Sequence, residues 1–373
     1  MIKLNVMFKP IEHYFFGTEN RRDDGTQNYF LYSLPYPQQT TILGAMRYLT
    51  LLAYHSKNLS KKLLDTNGNI LNKALARKLI GGNGFLMDYK GKYGKIESIS
   101  ELMIYTGDDI LLPSEPRKEF GISYLFDKIV GDSFQNGKLN KNIPRFEGYN
   151  PKEPEKSGWI SSSGEFFENG KLFISSIRPG NKKNNKGEND DDAFYKQEYY
   201  QLSESKFHFL IQMFIKKDIE ESLIGKHTMT LGGEKSKFII EISPTDDNRI
   251  KIPSLKEREI FYQPNKNFIK VVLTSDAYFS NDPYKDSLSA STKTIQFRFL
   301  KSTLKDTVNH SNRGKSNEGL IESSLYNMIE RGSSFYFNSN EQFEKWKTDS
   351  GIGSQSLMNI GYNQFTIVKP KSK

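Results

Sequence analysis

The first ten residues of the chain alternate between apolar and polar side chains. The apolar positions fall on one side of an extended chain: Ile2, Leu4, Val6 and Phe8. Because successive residues of a β-strand point to opposite faces, this period of two predicts a half-buried strand over residues 2–11.

A second pattern begins after Tyr36, where apolar residues recur every three or four positions. Together they form a stripe along one side of a helix: Ile42, Met46, Leu49 and Ala53. This spacing predicts a helix that starts near Thr40, and Thr40 or Thr41 is the expected N-cap. A strand followed by a helix is the opening of a βαβ unit.

The first 245 residues give the element order strand, helix, hairpin, helix, strand. The hairpin is predicted over 193–202 and 207–215, followed by a short helix over 218–224 and a strand over 238–242. This is the order of a split-βαβ, ferredoxin-like domain, which is also the layout of RNA-recognition folds.

A second set of elements follows a linker that contains Pro244 and Pro253. The predicted elements are strands over 268–277, 294–300, 333–337 and 364–368 and helices over 319–329 and 340–346. Element order therefore predicts the α+β class, with tandem ferredoxin-like domains and long insertions. The expected domains are 1–245, with insertions at about 56–190, and 246–373.

Composition adds a candidate ligand class. The formal net charge is +9, and aromatic residues make up 13% of the chain. A basic surface attracts polyanions, and exposed rings can stack bases, so nucleic acid is favoured over the alternative that the charge serves solubility alone.

Other function classes are excluded or weakened. The absence of cysteine excludes disulfides, thiol catalysis, cysteine-ligated zinc and iron–sulfur clusters. The five histidines show no pair at ligand spacing, so neither a metal nor another cofactor is expected. We also expect no membrane span, because no run approaches about 18 apolar residues, and a cytoplasmic location, because the first residues do not form a signal peptide.

Six segments, taken in order, resemble the RAMP superfamily and, within it, the family of the third subunit of the type III-B CRISPR (Cmr) effector complex. They are His13–Gly17, Pro37–Arg47, Leu111–Pro116, Asp190–Glu198, Leu231–Glu234 and Arg331–Phe337. Each segment alone is a weak signal, and the ordered set is more specific.

The resemblance implies tandem ferredoxin-like (RRM/RAMP) domains and a non-catalytic subunit that binds CRISPR guide RNA and holds its 5′ handle. It implies that the chain bridges the large palm-domain subunit to the first subunit of the backbone filament. Contact with target RNA is left open.

The glycine pair Gly232-Gly233 is a candidate RNA-binding loop, predicted to lie between a helix and a strand. Glycine lets the backbone approach a phosphate closely, and Lys235 and Lys237 add positive charge. This resembles the glycine-rich loop of RAMP proteins. The alternative is a plain turn, which would be favoured for an isolated glycine pair.

The start of the first helix is a second candidate, because its free amides with Thr40, Thr41 and Arg47 could hold an anion. The equally weighted alternative is that Thr40 only caps the helix while Arg47 faces solvent.

A third candidate is the basic run of Arg178, Lys182, Lys183 and Lys186, which could follow a phosphate backbone. It lies in the polar segment 131–192, where we expect a mobile loop, and a solvated loop is the alternative. Among the nearby aromatics, Tyr195 and Tyr199 could stack bases, although core packing is favoured for at least half of them.

Two further functions remain as alternatives. Some RAMP relatives are endoribonucleases that process guide RNA precursors with a histidine, and His13 is the candidate here. A packed or RNA-contacting histidine is the favoured interpretation, because no Ser, Lys or second His lies close in sequence. Asp108 and Asp109 are interpreted as a surface turn rather than a metal site. The other alternative is a structural bridge without RNA contact.

Overall fold

A computed structural model describes residues 1–18, 30–82, 85–87, 93–114, 133–135, 138–140, 158–161, 165–183, 189–232, 234–245, 260–262, 269–302 and 320–370. The helices are α1 (Gln39–Lys57), α2 (Lys73–Ile80), α3 (Asn169–Leu172), α4 (Glu220–Leu223), α5 (Asn340–Asp349) and α6 (Gln355–Met358), with short 3₁₀ helices at Leu59–Lys61 and Lys217–Ile219. The strands are β1 (Ile2–Pro10), β2 (Phe30–Leu31), β3 (Ile96–Ile99), β4 (Met103–Tyr105), β5 (Ile110–Ser114), β6 (Ser133–Gln135), β7 (Lys138–Asn140), β8 (Gly158–Ser161), β9 (Phe166–Glu168), β10 (Phe173–Lys183), β11 (Asn189–Leu202), β12 (His208–Ile215), β13 (Gly225–Leu231), β14 (Ser236–Pro244), β15 (Ile260–Tyr262), β16 (Ile269–Leu273), β17 (Ser289–Ser291), β18 (Thr294–Phe297), β19 (Leu300–Ser302), β20 (Leu320–Glu322), β21 (Tyr326–Ile329), β22 (Ser334–Phe337) and β23 (Phe365–Pro370).

The chain divides into two compact units, each assembled from separate stretches of sequence. The first unit comprises Met1–Ile99, Gly170–Asp247 and Phe297–Tyr326. The second comprises Ser100–Asn169, Asn248–Gln296 and Asn327–Lys373. The boundary at 245/246 stays a prediction.

The first unit contains an antiparallel sheet in the order β13-β14-β1-β12-β3. Without the edge strand β13, the chain order is β1, α1, β3, β12, α4, β14. The fourth strand thus lies beside the first, and the third lies between the first and the second, as in a ferredoxin-like sheet. The α+β, ferredoxin-like prediction is confirmed.

The central strands of this sheet form the core of the first unit. Leu4, Val6 and Phe8 of β1 are buried opposite Met213, Ile211 and Phe209 of β12. Residues 209–213 are buried without interruption, so β12 is covered on both faces. That explains why its sequence is a continuous apolar run instead of an alternating one.

Helix α1 contains the predicted apolar stripe, and all four of its members are buried. The predicted N-cap is wrong, because the helix begins at Gln39 with Gln38 in the cap position and no side-chain cap. Thr40 and Thr41 therefore lie inside the first turn. No helix in the described part of the chain is both long and apolar enough to cross a membrane.

The predicted hairpin over 193–215 is wrong in its partners. Strand β11 pairs with β10 on one side and with β2 on the other, in a separate three-stranded sheet. Strand β12 pairs instead with β1 and β3. The apolar β12 belongs at the centre of a core sheet, whereas the more polar β11 is half exposed and suits a projecting hairpin.

The second unit contains a sheet in the order β15-β23-β16-β22-β17. Strands β16, β17, β22 and β23 again follow the ferredoxin-like order, with α5 between the last two. The segment 100–169 adds antiparallel pairs from β4 to β5, β5 to β8 and β8 to β9. The Asp108–Asp109 pair lies in the turn between β4 and β5, as expected.

The first helix of the second ferredoxin-like motif is replaced by the loop 274–288. Asp276 fixes this loop, because its carboxylate accepts hydrogen bonds from Nε and Nη2 of Arg331 at 3.1 and 3.0 Å. It also accepts one from the backbone amide of Arg331 at 3.0 Å. Asn363 also fixes the loop, since its side chain accepts a hydrogen bond from the amide of Tyr278 and donates one to the carbonyl of Ile352.

The predicted helix over 319–329 is wrong, because its described residues form β20 and β21. Leucine, methionine and isoleucine recur there at helical spacing, but Ser323 breaks the segment. Its hydroxyl accepts from the amide of Phe299 at 3.1 Å and donates to the carbonyl of Ser324 at 2.7 Å. Serine side chains that bond the backbone in this way compete with helix formation.

Candidate nucleic-acid interface

A tight turn joins β13 to β14 and forms the centre of the candidate site. The amide of Lys235 donates to the carbonyl of Gly232 at 3.3 Å. Gly232 has φ +77° and Lys235 has φ +54°, so both lie in the left-handed region. A Cβ on residue 232 would be 2.3 Å from the carbonyl oxygen of Phe15, which requires glycine there.

This turn, Gly232–Lys235, was predicted to connect a helix with a strand, and that context is wrong. Strand β13 intervenes after α4, so the turn is the tip of a β-hairpin at the edge of the sheet. Strand β13 was missed because polar residues fill half of its positions, as its exposed Thr228 and Thr230 show.

The segment after β1 packs directly against the glycine turn. The amide of Phe15 donates to Oγ of Ser236 at 3.1 Å, across 221 residues of sequence. The amide of Phe16 donates to Oγ of Ser33 at 2.9 Å. Two serine hydroxyls thus hold this aromatic segment in place beside the turn.

The β10–β11 hairpin adds an arginine and a tyrosine to the same place. The ring of Tyr199 lies 5.9 Å from that of Phe15, and the Arg178 guanidinium lies 5.0 Å from the centre of the Tyr199 ring. Arg178 is exposed. Tyr195 packs flat on Gly180, where a Cβ would be only 2.2 Å from the ring.

The electrostatics of Tyr199 agree with this arrangement. Burial raises the pKa of its hydroxyl, and the nearby Glu234 carboxylate and Tyr195 raise it further, while Arg178 lowers it. Both Arg178 of the hairpin and Glu234 of the glycine turn are therefore close enough to influence Tyr199. The site combines an exposed cation on a ring, a tight turn packed against Phe15, and flanking exposed lysines.

The hairpin is anchored to the segment after β1 by Tyr14 and Tyr200, whose backbones exchange hydrogen bonds of 2.8 and 2.9 Å. The Tyr200 hydroxyl donates to Oε1 of Glu198 at 3.1 Å. Burial, followed by the Glu198 carboxylate, raises the pKa of Tyr200 to about 12.

This shift predicts an alkaline loss of stability. The protonated tyrosine is favoured in the folded state, and an unfolded tyrosine titrates near pH 10. The stabilisation is therefore complete below about pH 10 and is lost as the pH rises to about 12. Urea unfolding across this range should show a smaller loss for Tyr200→Phe than for the wild type. Parallel losses would contradict the assignment.

Comparison with known proteins places the chain in a family. A sequence profile described as CRISPR-associated protein (Cas_Cmr3) matches residues 129–370, which is more than half of the chain. The chain belongs to the Cas_Cmr3 family. This confirms the resemblance indicated by the motifs and identifies a subunit of a type III-B Cmr complex.

Three solved chains are similar to this Cas_Cmr3 chain at low sequence identity. A chain of type III-B Cmr-beta bound to cognate target RNA has 11% identity and a TM-score of 0.47, with 98% of this chain and 99% of that chain covered. A second, with target RNA and AMPPnP, has 10% identity and 0.46 over the same shares. An apo-state chain has 10% identity and 0.26, covering 67% and 99%. No curated protein sequence matches.

The other predicted site residues of this Cas_Cmr3 chain fall in different places. Thr40 and Thr41 are half-buried in the first turn of α1. The Arg47 guanidinium is directed to the end of α2, where Nε donates to the carbonyl of Ile80 at 3.0 Å. It also lies 5.9 Å from the centre of the Tyr93 ring. The two interpretations of Arg47 from the sequence, an anion-binding residue or a solvent-facing one, both missed this intramolecular role.

The remaining predicted residues flank the hairpin and the turn. Lys235 and Lys237 are exposed at the turn and at the start of β14. Lys182 and Lys183 belong to the end of β10, but their side chains, like Gly233, lie outside the described residues. His13 is half-buried just after β1. No group of three acidic or histidine side chains in the described part of the chain could hold a metal.

Sequence reasoning missed two members of the site, Phe15 and Glu234, as partners of the glycine turn. Phe15 lies within a segment that carried the family resemblance, but no local pattern shows that it packs on residue 232. Gly180 opposite Tyr195 was the available signal for the hairpin, because glycine opposite an aromatic residue is a common strand pairing.

Proposed function

We propose that this Cas_Cmr3 family member is a non-catalytic RNA-binding subunit that holds the 5′ handle of the CRISPR guide RNA. The observation that carries the proposal is the Arg178–Tyr199 pair beside the glycine turn. An arginine over an aromatic ring offers a charged planar surface for a base or phosphate. The turn next to it adds the exposed ammonium group of Lys235, which can pair with a phosphate.

The proposed interface extends from this centre to the other basic residues. Lys235 and Lys237 supply charge on the far side of the turn, and Gly233 completes the glycine pair. Lys182 and Lys183 continue the basic run of the hairpin. Thr40, Thr41 and Arg47 remain proposed contacts at the edge of the site, with Arg47 the weakest because its guanidinium bonds the protein itself.

The proposed partners follow from the family. The chain would bridge the large palm-domain subunit and the first subunit of the backbone filament, and contact with target RNA is left open. We propose the same domain boundary, between residues 245 and 246, as the division between its two ferredoxin-like parts.

The stacking part of the proposal predicts a large effect from one side chain. Tyr199→Leu should weaken binding of single-stranded RNA that carries the 5′ handle by about 1–3 kcal/mol, the usual range for a stacked base. That is between about 5-fold and 150-fold in Kd. Arg178→Gln should lower the slope of log K against log salt by about 0.7, as for one phosphate. Fluorescence anisotropy of the full chain measures both.

A matched control is available in the same unit. Lys61 lies 5.2 Å from the Tyr54 ring and donates to its hydroxyl, which repeats the cation–ring pair away from the glycine turn. Tyr54→Leu and Lys61→Gln should leave RNA affinity unchanged. Equal losses in both pairs would mean that the effects are not specific to the proposed site.

The ribonuclease alternative has its own test. It predicts metal-independent cleavage of repeat RNA that His13→Ala abolishes. The proposed function predicts that the purified chain leaves labelled repeat RNA intact.

A further inference from the structure

The five-stranded sheet of the first unit has a second face, which is buried at Asn5, Leu210 and Gln212 but open to solvent along β13, β14 and the end of β1. In an antiparallel pair, directly opposite residues lie on the same face, so the register defines its members. The exposed and half-buried residues of this face alongside β13, called here the open face, are Met7, Lys9, His208, Lys226, Thr228, Thr230, Lys237, Ile239 and Glu241, whereas Lys3, Phe214 and Ser243 lie farther along the same face.

The open face is basic. Lys9, Lys226 and Lys237 are exposed on it, and the one carboxylate among its members is Glu241. Lys226 lies 3.8 Å from Glu241, yet its side chain remains 73% exposed. Such an exposed ion pair contributes little, so Lys226 can exchange this partner for a phosphate.

The lysines of the open face lie on three strands of the sheet, β1, β13 and β14. Lys9 lies opposite Ile239, and Lys226 lies opposite Glu241. From Lys237 to residue 241 the strand advances four residues, which is about 14 Å. The exposed Thr228 lies opposite Ile239, midway between positions 237 and 241, and its hydroxyl group can bond a phosphate or ribose.

The open face continues directly from the glycine turn. Thr230 and Lys237 form the second residue pair from the turn, and Lys237 is exposed on the open face. A strand of RNA leaving the turn would therefore meet this face first. Four-stranded sheets of ferredoxin-like order use the same face in RNA-recognition domains.

The composition of the face indicates which part of the RNA it would contact. The open face consists of lysine, threonine, glutamate, methionine, isoleucine and one histidine. Phe214 lies on the same side of the sheet farther from the turn, with the Lys3 ammonium 5.7 Å from its ring. Beside the turn there is thus no phenylalanine or tyrosine for base stacking, whereas ammonium and hydroxyl groups suit phosphate and ribose.

We infer that the open face is a second RNA subsite, which follows the phosphate backbone of a single strand as it leaves the glycine turn. This inference rests on the proposed function, because the turn must hold RNA for the strand to continue across the sheet. Its binding would be independent of sequence.

The test uses two lysines that are not part of the glycine-turn site. Lys9→Gln with Lys226→Gln in the full chain should lower the slope of log K against log salt by about 1.4, about 0.7 for each phosphate. Single-stranded RNA long enough to extend beyond the handle is the probe. With RNA limited to the handle, the double variant should bind like the wild type.

The control removes the same charge elsewhere in the first unit. Lys78 of α2 and Lys217 of the 3₁₀ helix are exposed and lie outside the sheet. Lys78→Gln with Lys217→Gln should leave the slope unchanged. If the Lys9/Lys226 variant behaves like this control while Tyr199→Leu still weakens binding, the inference is overturned and the proposed function stands. If Tyr199→Leu also leaves RNA binding unchanged, the proposed function itself is contradicted.

His208 provides a spectroscopic readout on the same face. Burial lowers the pKa of its imidazole, and the Lys9 ammonium lowers it further, while the Lys206 carbonyl and the Glu241 carboxylate act in the opposite direction. A phosphate on the open face would stabilise the imidazolium and raise this pKa. NMR titration with saturating extended RNA should show the rise, with His208→Gln assigning the signal. An unchanged pKa under saturation contradicts the inference and favours a protein partner on this face.

Discussion

Arg331→Met is expected to lower the free energy of unfolding by about 3–5 kcal/mol, the range for breaking a buried ion pair by removing one partner. Asp276 is fully buried, and the Arg331 side chain is only 3% exposed. Without the guanidinium, the carboxylate keeps the backbone amide of residue 331 as a donor but loses two charge-assisted bonds. Urea denaturation of the full chain measures the change.

The neighbouring ion pair serves as the control. Lys293 lies 2.9 Å from Glu330, and its side chain is 69% exposed, while that of Glu330 is 14% exposed. Lys293→Gln should change stability by no more than about 1 kcal/mol, because the exposed lysine is screened by water and salt. Similar effects of the two substitutions would mean that the loop 274–288 does not depend on the buried pair.

Gly232→Ala is expected to destabilise the first unit by about 2 kcal/mol or more. The left-handed backbone alone disfavours a side chain by about 1–2 kcal/mol. In addition, the new Cβ would be 2.3 Å from the Phe15 carbonyl, so the turn or the Phe15 segment must move. RNA affinity should fall together with stability, because the turn and Tyr199 both pack on Phe15.

The opposite sign is expected at a glycine that has room for a side chain. Gly44 lies in α1 with nothing within 4 Å of an added Cβ. Gly44→Ala should stabilise the helix by about 0.5–1 kcal/mol. If Gly232→Ala instead behaves like Gly44→Ala in urea unfolding, the turn does not have the conformation described.

The elements that could be predicted from sequence are those with a clear local period. Strand β1 alternates over its whole length, and α1 carries an apolar stripe for about three turns, so the strand was predicted almost at its bounds and the helix almost at its start. Strand β14 and helix α5 were found for the same reason. The ferredoxin-like order of the first unit was nevertheless predicted with β11 in the place of β3, and that of the second unit with a helix over 319–329 that the structure does not contain.

The elements that could not be predicted depend on partners far away in sequence. Strand β12 pairs with β3 rather than with β11; its apolar sequence indicates a buried central strand but does not identify the strands beside it. Residues 320–329 have helical spacing, but the contacts of Ser323 with Phe299 and Ser324 lead to two strands.

The candidate site was predictable only in part. The glycine turn and Arg178 stand out by composition, because glycine pairs and basic runs are rare enough to notice. The turn and Arg178 are brought together by the contact between Phe15 and Tyr199, which are 184 positions apart in sequence. Only the folded first unit places them together, and Arg47 conversely turns out to bond the protein.

Photocrosslinking of guide RNA in the assembled Cmr complex, followed by mass spectrometry of the peptides, shows directly whether this chain holds the guide at the glycine turn. We expect adducts on Tyr199 and on the turn Gly232–Lys235, with further adducts at Lys237. Guide RNA crosslinked only to other subunits, with these peptides unmodified, would contradict it.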